Sequence, residues 1–282
     1  MTPTPLQIVT ADDVAIAARM FHPAAAPRAA VLVVPAMGVS QQYYAAFAAW
    51  LADRGFLAAT FDYRGMGASR RGSLARLHAD ILTWARQDCA AMVDALAAAA
   101  PGTPLFWVGH SLGGQILPFV PNRERVAKMI TVGTGSGYWR ENAPPLKRRA
   151  WLLWYFIAPL AMRLFGYFPG RRLRMVGDLP RGVMAQWRRW CLDPNYAVGA
   201  EPGAREQFAA VLTPIVGLSF ADDEYMSIRN IESIHGFYAH APRRMKRLTP
   251  ADVGARRIGH FGFFRPGNAE RLWAPHLLPE LA

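Results

Sequence analysis

Gly109-His-Ser-Leu-Gly113-Gly114 follows the apolar run Leu105–Val108 and leads into a stretch that reads as a helix, Leu112–Val120. A serine between two glycines at this spacing has the chemistry of a nucleophile. A sharp reversal from strand to helix strains the backbone at the central residue and leaves no room for side chains at the flanking positions. Ser111 then projects at the carboxyl end of a sheet, where open α/β folds hold their ligands. The N–H groups that open the helix face a developing oxyanion. A serine hydroxyl is a weak nucleophile at neutral pH and needs a base. Of the seven histidines, His110 is too close in the chain to reach round to the Ser111 hydroxyl. His22, His78, His235, His240 and His276 fall before the sheet core, in helical stretches and the loop after one, or near the tail. His260 alone sits in a glycine-rich turn, Gly259 to Gly262, after the last strand-like run, and so at the same sheet edge as Ser111. A catalytic imidazole needs a carboxylate to hold its tautomer. Asp222, Asp223 and Glu224 end the buried run Pro214–Phe220. Three adjacent acids cannot all bond one imidazole, and the residues alone leave open which one does. The others are expected to form a solvated acidic turn.

The elements that must position these groups are legible as a rhythm. Leu6–Thr10 and Val14–Phe21 flank an Asp12-Asp13 turn and read as a hairpin. Val31–Pro35, Phe56–Phe61, Leu105–Val108 and Lys128–Val132 are short apolar runs of the kind buried on both faces of a sheet. Helical stretches separate them: Gln41–Arg54 with its Gly55 stop, and an alanine-rich run over Ala79–Ala100 ended by Pro101-Gly102. This alternation predicts a mostly parallel sheet covered by helices on both faces. It stops at Tyr138 and resumes near residue 206 with Pro214–Phe220, a helix over Ser227–Phe237, a strand over Arg243–Leu248 and a helix near Asn268–Leu278. The expected organisation is an α/β core of residues 1–137 and 206–282 with a helical insertion, 138–205.

The insertion has its own chemistry. It holds five of the nine tryptophans, and between Tyr138 and Ala200 eleven Lys/Arg face three Asp/Glu, a net +8 out of the chain's +12. Ala150–Phe168 is almost entirely apolar and near the length of a bilayer span. Pro159, Arg163 and Gly166 interrupt it, however, and no second span returns the chain to the sheet. A buried lid helix lining an apolar pocket is the economical reading. A helix lying on a membrane surface, flanked by Lys147-Arg148-Arg149 and Arg171-Arg172, is the alternative. Trp151, Trp154 and Trp187 are the candidate substrate contacts. Two distant cysteines, Cys89 and Cys191, give neither a disulfide framework nor metal-ligand spacing. No metal or cofactor is expected, and the first residues lack a signal-peptide pattern, so a cytoplasmic setting is expected. The basic charge raises nucleic acid as a partner, but no recognition motif accompanies it, and a small-molecule acyl substrate is expected instead.

The sequence resembles the α/β-hydrolase superfamily, and within it the lysophospholipase-like and S33 peptidase-like serine hydrolases. Three stretches carry the likeness: the elbow around Ser111, Asp62-Tyr-Arg-Gly-Met-Gly67-Ala-Ser69, and Gly259-His-Phe-Gly-Phe-Phe264. The resemblance implies an eight-stranded sheet with a lid inserted after the sixth strand. It aligns Asp223 with the family's acid, with Asp222 as the alternative because Phe220 stands where the family has glycine. The order Ser111, Asp223, His260 is the order of this fold. The resemblance also assigns the oxyanion hole to the backbone N–H groups of Met37 and Leu112, in a loop reading Pro35-Ala-Met-Gly38 where relatives have His-Gly. Asp62 and Arg64 are expected to fix their loop rather than to react. A serine nucleophile points away from dehalogenase and epoxide hydrolase chemistry and toward acyl transfer to water. An aminopeptidase must bind an ammonium group, and the insertion is short of acids, with Glu141, Asp178, Asp193 and Glu201. Hydrolysis of an ester or thioester with an apolar acyl part is therefore the first expectation. An anionic substrate meeting Arg171 and Arg172 is a further one. Peptidase or amidase activity, or a catalytically silent binding protein, are the alternatives.

Overall fold

The computed structural model describes residues 3–282. Eight strands form one sheet in the order β1-β2-β4-β3-β5-β6-β7-β8, with β1 at Thr4–Val9, β2 at Ala15–Phe21, β3 at Ala29–Val34, β4 at Phe56–Phe61, β5 at Leu105–His110, β6 at Val126–Val132, β7 at Ile215–Phe220 and β8 at Arg243–Leu248. β1 and β2 form the antiparallel hairpin, β2 pairs antiparallel with β4, and every pairing from β4 to β8 is parallel. This is the α/β-hydrolase fold. Every residue of β3, β4, β5 and β7 is buried, because helices cover both faces. β8, the edge strand, is Arg-Arg-Met-Lys-Arg-Leu and mostly exposed, and its charges discourage pairing with another chain. Two apolar clusters lie on opposite sides of the sheet. One is built on Leu32, Trp84, Trp107 and Met129, the other on Val33, Phe47, Val108 and Trp273.

Three helices differ from the sequence expectation. The stretch after Ser111 is not a regular α-helix. It folds as two short 3-10 turns, Ser111–Gly114 and Leu117–Phe119, since Gly113-Gly114 holds a helix poorly and Pro118 withholds a donor. The alanine-rich helix starts at residue 81, where Asp80 caps it by accepting from Thr83 N–H, and passes through a π-helical segment, Trp84–Cys89, before Ala90–Ala99. The last helix is π-helical over Ala269–Leu277, around the missing N–H of Pro275.

Between β6 and β7 the chain forms the helical insertion. A continuous helix over 144–165 combines Pro144–Leu152, a π-helical turn at Leu153–Ile157 and Ala158–Phe165, ending at Gly166 in the left-handed conformation. The π-helical turn sits just before Pro159, whose ring and missing N–H disrupt the regular ladder. Arg181–Leu192, Tyr196–Ala200 and Ala204–Ala209 follow. The 144–165 helix is not the wholly buried element expected from its composition. Ala150, Leu153, Trp154, Ala158, Ala161 and Met162 face inward, while Trp151, Leu152, Tyr155, Phe156, Leu160, Leu164 and Phe165 are exposed. Among the described residues no helix is long and apolar enough to cross a membrane.

Asp62 and Arg64 are scaffold. Asp62 accepts from Gln41 N–H at 2.8 Å, Gln41 Nε2 at 2.9 Å and Ala68 N–H at 2.9 Å, which ties the turn after β4 to the turn after β3. Arg64 reaches the fully buried Asp88 with its Nε at 2.7 Å and its backbone N–H at 2.8 Å, and clasps Asp12 in the hairpin turn. The two carboxylates respond in opposite directions. The Arg64 hydrogen bond pulls Asp12 down to about 2, whereas burial pushes Asp88 up to about 6 despite the same partner.

Candidate active site

Ser111 has a φ of 51°, in the left-handed region that a non-glycine residue seldom occupies, at the junction between β5 and the first 3-10 turn. The tightness of this reversal accounts for its glycines. A Cβ on Gly109 would lie 2.4 Å from the Gly113 carbonyl oxygen, and one on Gly113 would lie 2.2 Å from the Val34 carbonyl oxygen. Side-chain donors then pin the elbow: Trp107 Nε1 donates to the Gly113 carbonyl at 2.8 Å, and Thr134 Oγ1 to the Ser111 carbonyl at 3.1 Å.

His260 lies in a one-turn helix, Gly259–Gly262, and is buried. Its Nδ1 is 2.8 Å from Asp223 Oδ2. The other Asp223 oxygen, Oδ1, accepts the N–H groups of Tyr225 at 2.8 Å and Met226 at 2.9 Å, so both oxygens of this buried carboxylate are held. The neighbouring acids do not form a solvated turn. Asp222 accepts from the N–H groups of Ile258 and Gly259 at 2.8 and 3.1 Å, and Glu224 accepts from His260 N–H at 3.0 Å. One acid thus holds the imidazole, and its two neighbours hold the backbone that carries it.

A second histidine links these parts. His110 is fully buried, and its Nε2 lies 3.1 Å from the His260 carbonyl oxygen. A carbonyl only accepts, so Nε2 carries the proton and Nδ1 is the bare nitrogen. Tyr44 Oη, 2.8 Å from Nδ1, therefore donates to it, and accepts in turn from Ala36 N–H at 3.0 Å. Burial, with the nearby His260 adding to it, holds His110 well below the usual histidine range and so neutral. Burial likewise raises the Tyr44 phenol well above its ordinary value. This chain joins the residue before Met37, the residue before Ser111, and His260. Both ring nitrogens of His110 are thus engaged away from the Ser111 hydroxyl, and nothing in the sequence signals Tyr44 as its partner.

Ser111 and His260 open on one cavity of about 450 Å³. Met37 and Leu112, the expected oxyanion donors, line it, as do Gln115, Tyr225, Met226 and Phe261 from the core. The insertion contributes Leu146, Ala150, Leu153, Trp154, Trp187 and Val176. Two of the three expected tryptophans are therefore in the wall, where Trp154 and Trp187 meet edge to face at 5.0 Å between ring centroids. Trp151 is not in the wall. It sits on the outer side of the helix, half-exposed against Phe156. Arg171 and Arg172 also lie away from the cavity, and the arginine that reaches it is Arg174. Among the described residues the lining contains no Asp or Glu. No group of His, Cys, Asp and Glu among them is placed to hold a metal, and both cysteines are buried and free.

Comparison with known proteins places this architecture. The family described as "Serine aminopeptidase, S33" matches residues 25–170. No match to the sequence was found among curated proteins. Among solved structures, a soluble variant of monoglyceride lipase from Saccharomyces cerevisiae, in complex with a substrate analog, superposes with a TM-score of 0.65 at 18% identity, covering 88% of this chain and 86% of that one. A thermostable carboxyl esterase from Bacillus coagulans, in complex with glycerol, gives 0.63 at 14% identity over 88% and 90%. An esterase from Pyrococcus furiosus gives 0.65 at 12% identity over 99% and 89%. At these identities the likeness is one of fold.

Proposed function

Because this chain belongs to the serine aminopeptidase S33 family of α/β-hydrolase enzymes, we propose that it cleaves a carboxylic ester or thioester with an apolar acyl part through an acyl-enzyme on Ser111. The observation that carries the reading is the meeting of Ser111 and an Asp223-held His260 on an apolar cavity whose described lining has no carboxylate. A substrate ammonium would find no counter-charge there, whereas an acyl chain would find Trp154, Trp187, Leu146 and Leu153.

In this mechanism His260, with Nδ1 engaged by Asp223, takes the Ser111 proton on Nε2 as Oγ attacks the carbonyl carbon. The Ser111 hydroxyl makes no hydrogen bond among the described residues, so the Oγ–Nε2 contact tightens when substrate binds. The backbone N–H groups of Met37 and Leu112 receive the developing oxyanion. Collapse of the tetrahedral intermediate breaks the bond to the alcohol or thiol, which leaves with the proton from His260. Water then gives a proton to His260 and attacks the acyl-enzyme, and the return of that proton to Ser111 Oγ releases the acid. Residues 138–205 act as the lid that shapes the acyl site over a core of 1–137 and 206–282.

The test is a panel of p-nitrophenyl esters of rising chain length, acyl-CoA thioesters and aminoacyl anilides, with fluorophosphonate labelling alongside. We expect ester or thioester turnover, and labelling that disappears in Ser111→Ala and weakens in His260→Ala. Preference for aminoacyl anilides would establish the peptidase reading that the family's description favours. Absence of both labelling and turnover would establish a silent binding protein.

A further inference from the structure

The 144–165 helix has two apolar faces, and the cavity uses only one of them. Leu146, Ala150, Leu153 and Trp154 line the cavity. On the outer side, Leu152, Phe156, Leu160 and Leu164 follow each other at four-residue spacing, with exposures of 42, 58, 57 and 67%, and Trp151 and Tyr155 stand beside them. Such a row on one helix is a continuous apolar strip rather than scattered surface residues. Leu173 and Met175, in the loop that follows, are also exposed, and Arg172 lies over the Phe165 ring, so the loop adjoins the helix end. The charges around the strip are mostly basic, and Asp178 at its edge is held by the Arg171 N–H and by Arg70. Residues 142–177 contain Lys147, Arg148, Arg149, Arg163, Arg171, Arg172 and Arg174 and no Asp or Glu. All seven are exposed.

We propose that this outer face docks the enzyme on the surface of an anionic phospholipid bilayer, with the strip entering the acyl boundary and the cations that border it, Arg171 and Arg172 among them, meeting lipid phosphates. The argument is charge complementarity joined to amphipathic form: an apolar strip with a predominantly basic border is the pattern of a helix that lies in the interface plane. Pro159 and Gly166 keep it from continuing as a span, as the lack of any membrane-crossing helix among the described residues requires. Docked in this way, the helix separates the bilayer from the cavity by its own thickness, and an apolar substrate has a short route between them. The docking is independent of the bond that Ser111 cleaves.

The experiment uses the full chain carrying Ser111→Ala, so that no lipid is consumed. It measures cosedimentation with vesicles of phosphatidylcholine alone and of phosphatidylcholine with phosphatidylglycerol. We expect binding to the anionic vesicles that weakens as salt rises. The triple change Phe156→Ser, Leu160→Ser, Leu164→Ser should weaken it by more than about ten-fold. Arg171→Glu with Arg172→Glu should weaken binding to the anionic vesicles by about ten-fold or more and leave the phosphatidylcholine control unchanged. Introduced into the active enzyme, both sets should retain hydrolysis of a short soluble ester. Brominated lipid should quench the unmutated chain's fluorescence, and Trp151→Phe should lose part of that quenching. No cosedimentation, equal binding to both vesicle types, binding unaffected by either set, or a concentration-dependent dimer that the triple change abolishes would each overturn the proposal. The last would assign the strip to a second copy of this chain.

Discussion

Tyr44→Phe removes one oxygen from a fully buried ring and tests the link between the oxyanion loop, the nucleophile and the base. The hydroxyl accepts from Ala36 N–H at 3.0 Å and donates to His110 Nδ1 at 2.8 Å. Phenylalanine fits the same space, so no large void opens. What changes is that a buried N–H and a buried imidazole nitrogen lose their partners together. Each such orphan costs roughly 1–3 kcal/mol, which sets the expected destabilisation at about 2–6 kcal/mol. For a chain of this size that is a fall in Tm on the order of 5–10 °C. Activity should fall as well, by about ten-fold or more in kcat with little change in KM. Ala36 precedes the Met37 donor and His110 precedes Ser111, and a small misplacement of either acts on the transition state. Urea denaturation followed by tryptophan fluorescence gives the stability, and steady-state kinetics on a short ester gives the split between kcat and KM. A destabilisation below about 0.5 kcal/mol with unchanged kcat would refute the reasoning, because it would mean that the two groups are satisfied without Tyr44.

The acids at 222–224 should separate by role. Asp223→Asn is expected to lower kcat by about 10³–10⁴ through the wrong imidazole tautomer, whereas Asp222→Asn loosens the 258–259 backbone and is expected to lower stability more than kcat; both are read from kinetics beside urea titrations. Trp154→Ala should shift the preferred acyl length on the ester panel and Trp151→Ala should not, since of these two only Trp154 is in the cavity wall. His235 supplies a pH test. It is buried with Nδ1 donating to the Ile231 carbonyl and Nε2 accepting from Thr131, and burial pulls it down to about 4. Between pH 6.5 and 4 the folded protein binds fewer protons at this site than the unfolded chain, so the contribution of His235 to stability falls as pH falls through that window, by up to about 3 kcal/mol. Asp88, raised to about 6, contributes with the opposite sign over much of this window, so the test is the difference between the unmutated chain and His235→Gln: urea midpoints should show the unmutated chain losing stability relative to the variant as pH falls from 6.5 to 4.

The contrast between Ser111 and Asp223 marks the limit of what a sequence determines. The elbow is dictated by contacts within a few residues and by one close pass against β3, so its requirement for small residues is written at Gly109 and Gly113. Strands buried on both faces have to be apolar throughout, and β3, β4 and β5 were legible for that reason. His260 stands out in the sequence because only one histidine follows the last strand in a glycine-rich turn. Nothing local distinguishes Asp222 from Asp223. They share a side chain, and only the docking of 258–260 against the end of β7 gives one the imidazole and the other the backbone. Tyr44 meets His110 across 66 residues because β3 and β5 are sheet neighbours, an adjacency that no short stretch encodes. The 144–165 helix follows the same logic. Composition alone determined that it is apolar and basic, but apolar residues around a whole helix have no preferred inside. Packing against the cavity decided which face is buried, and so which face is left to meet something else.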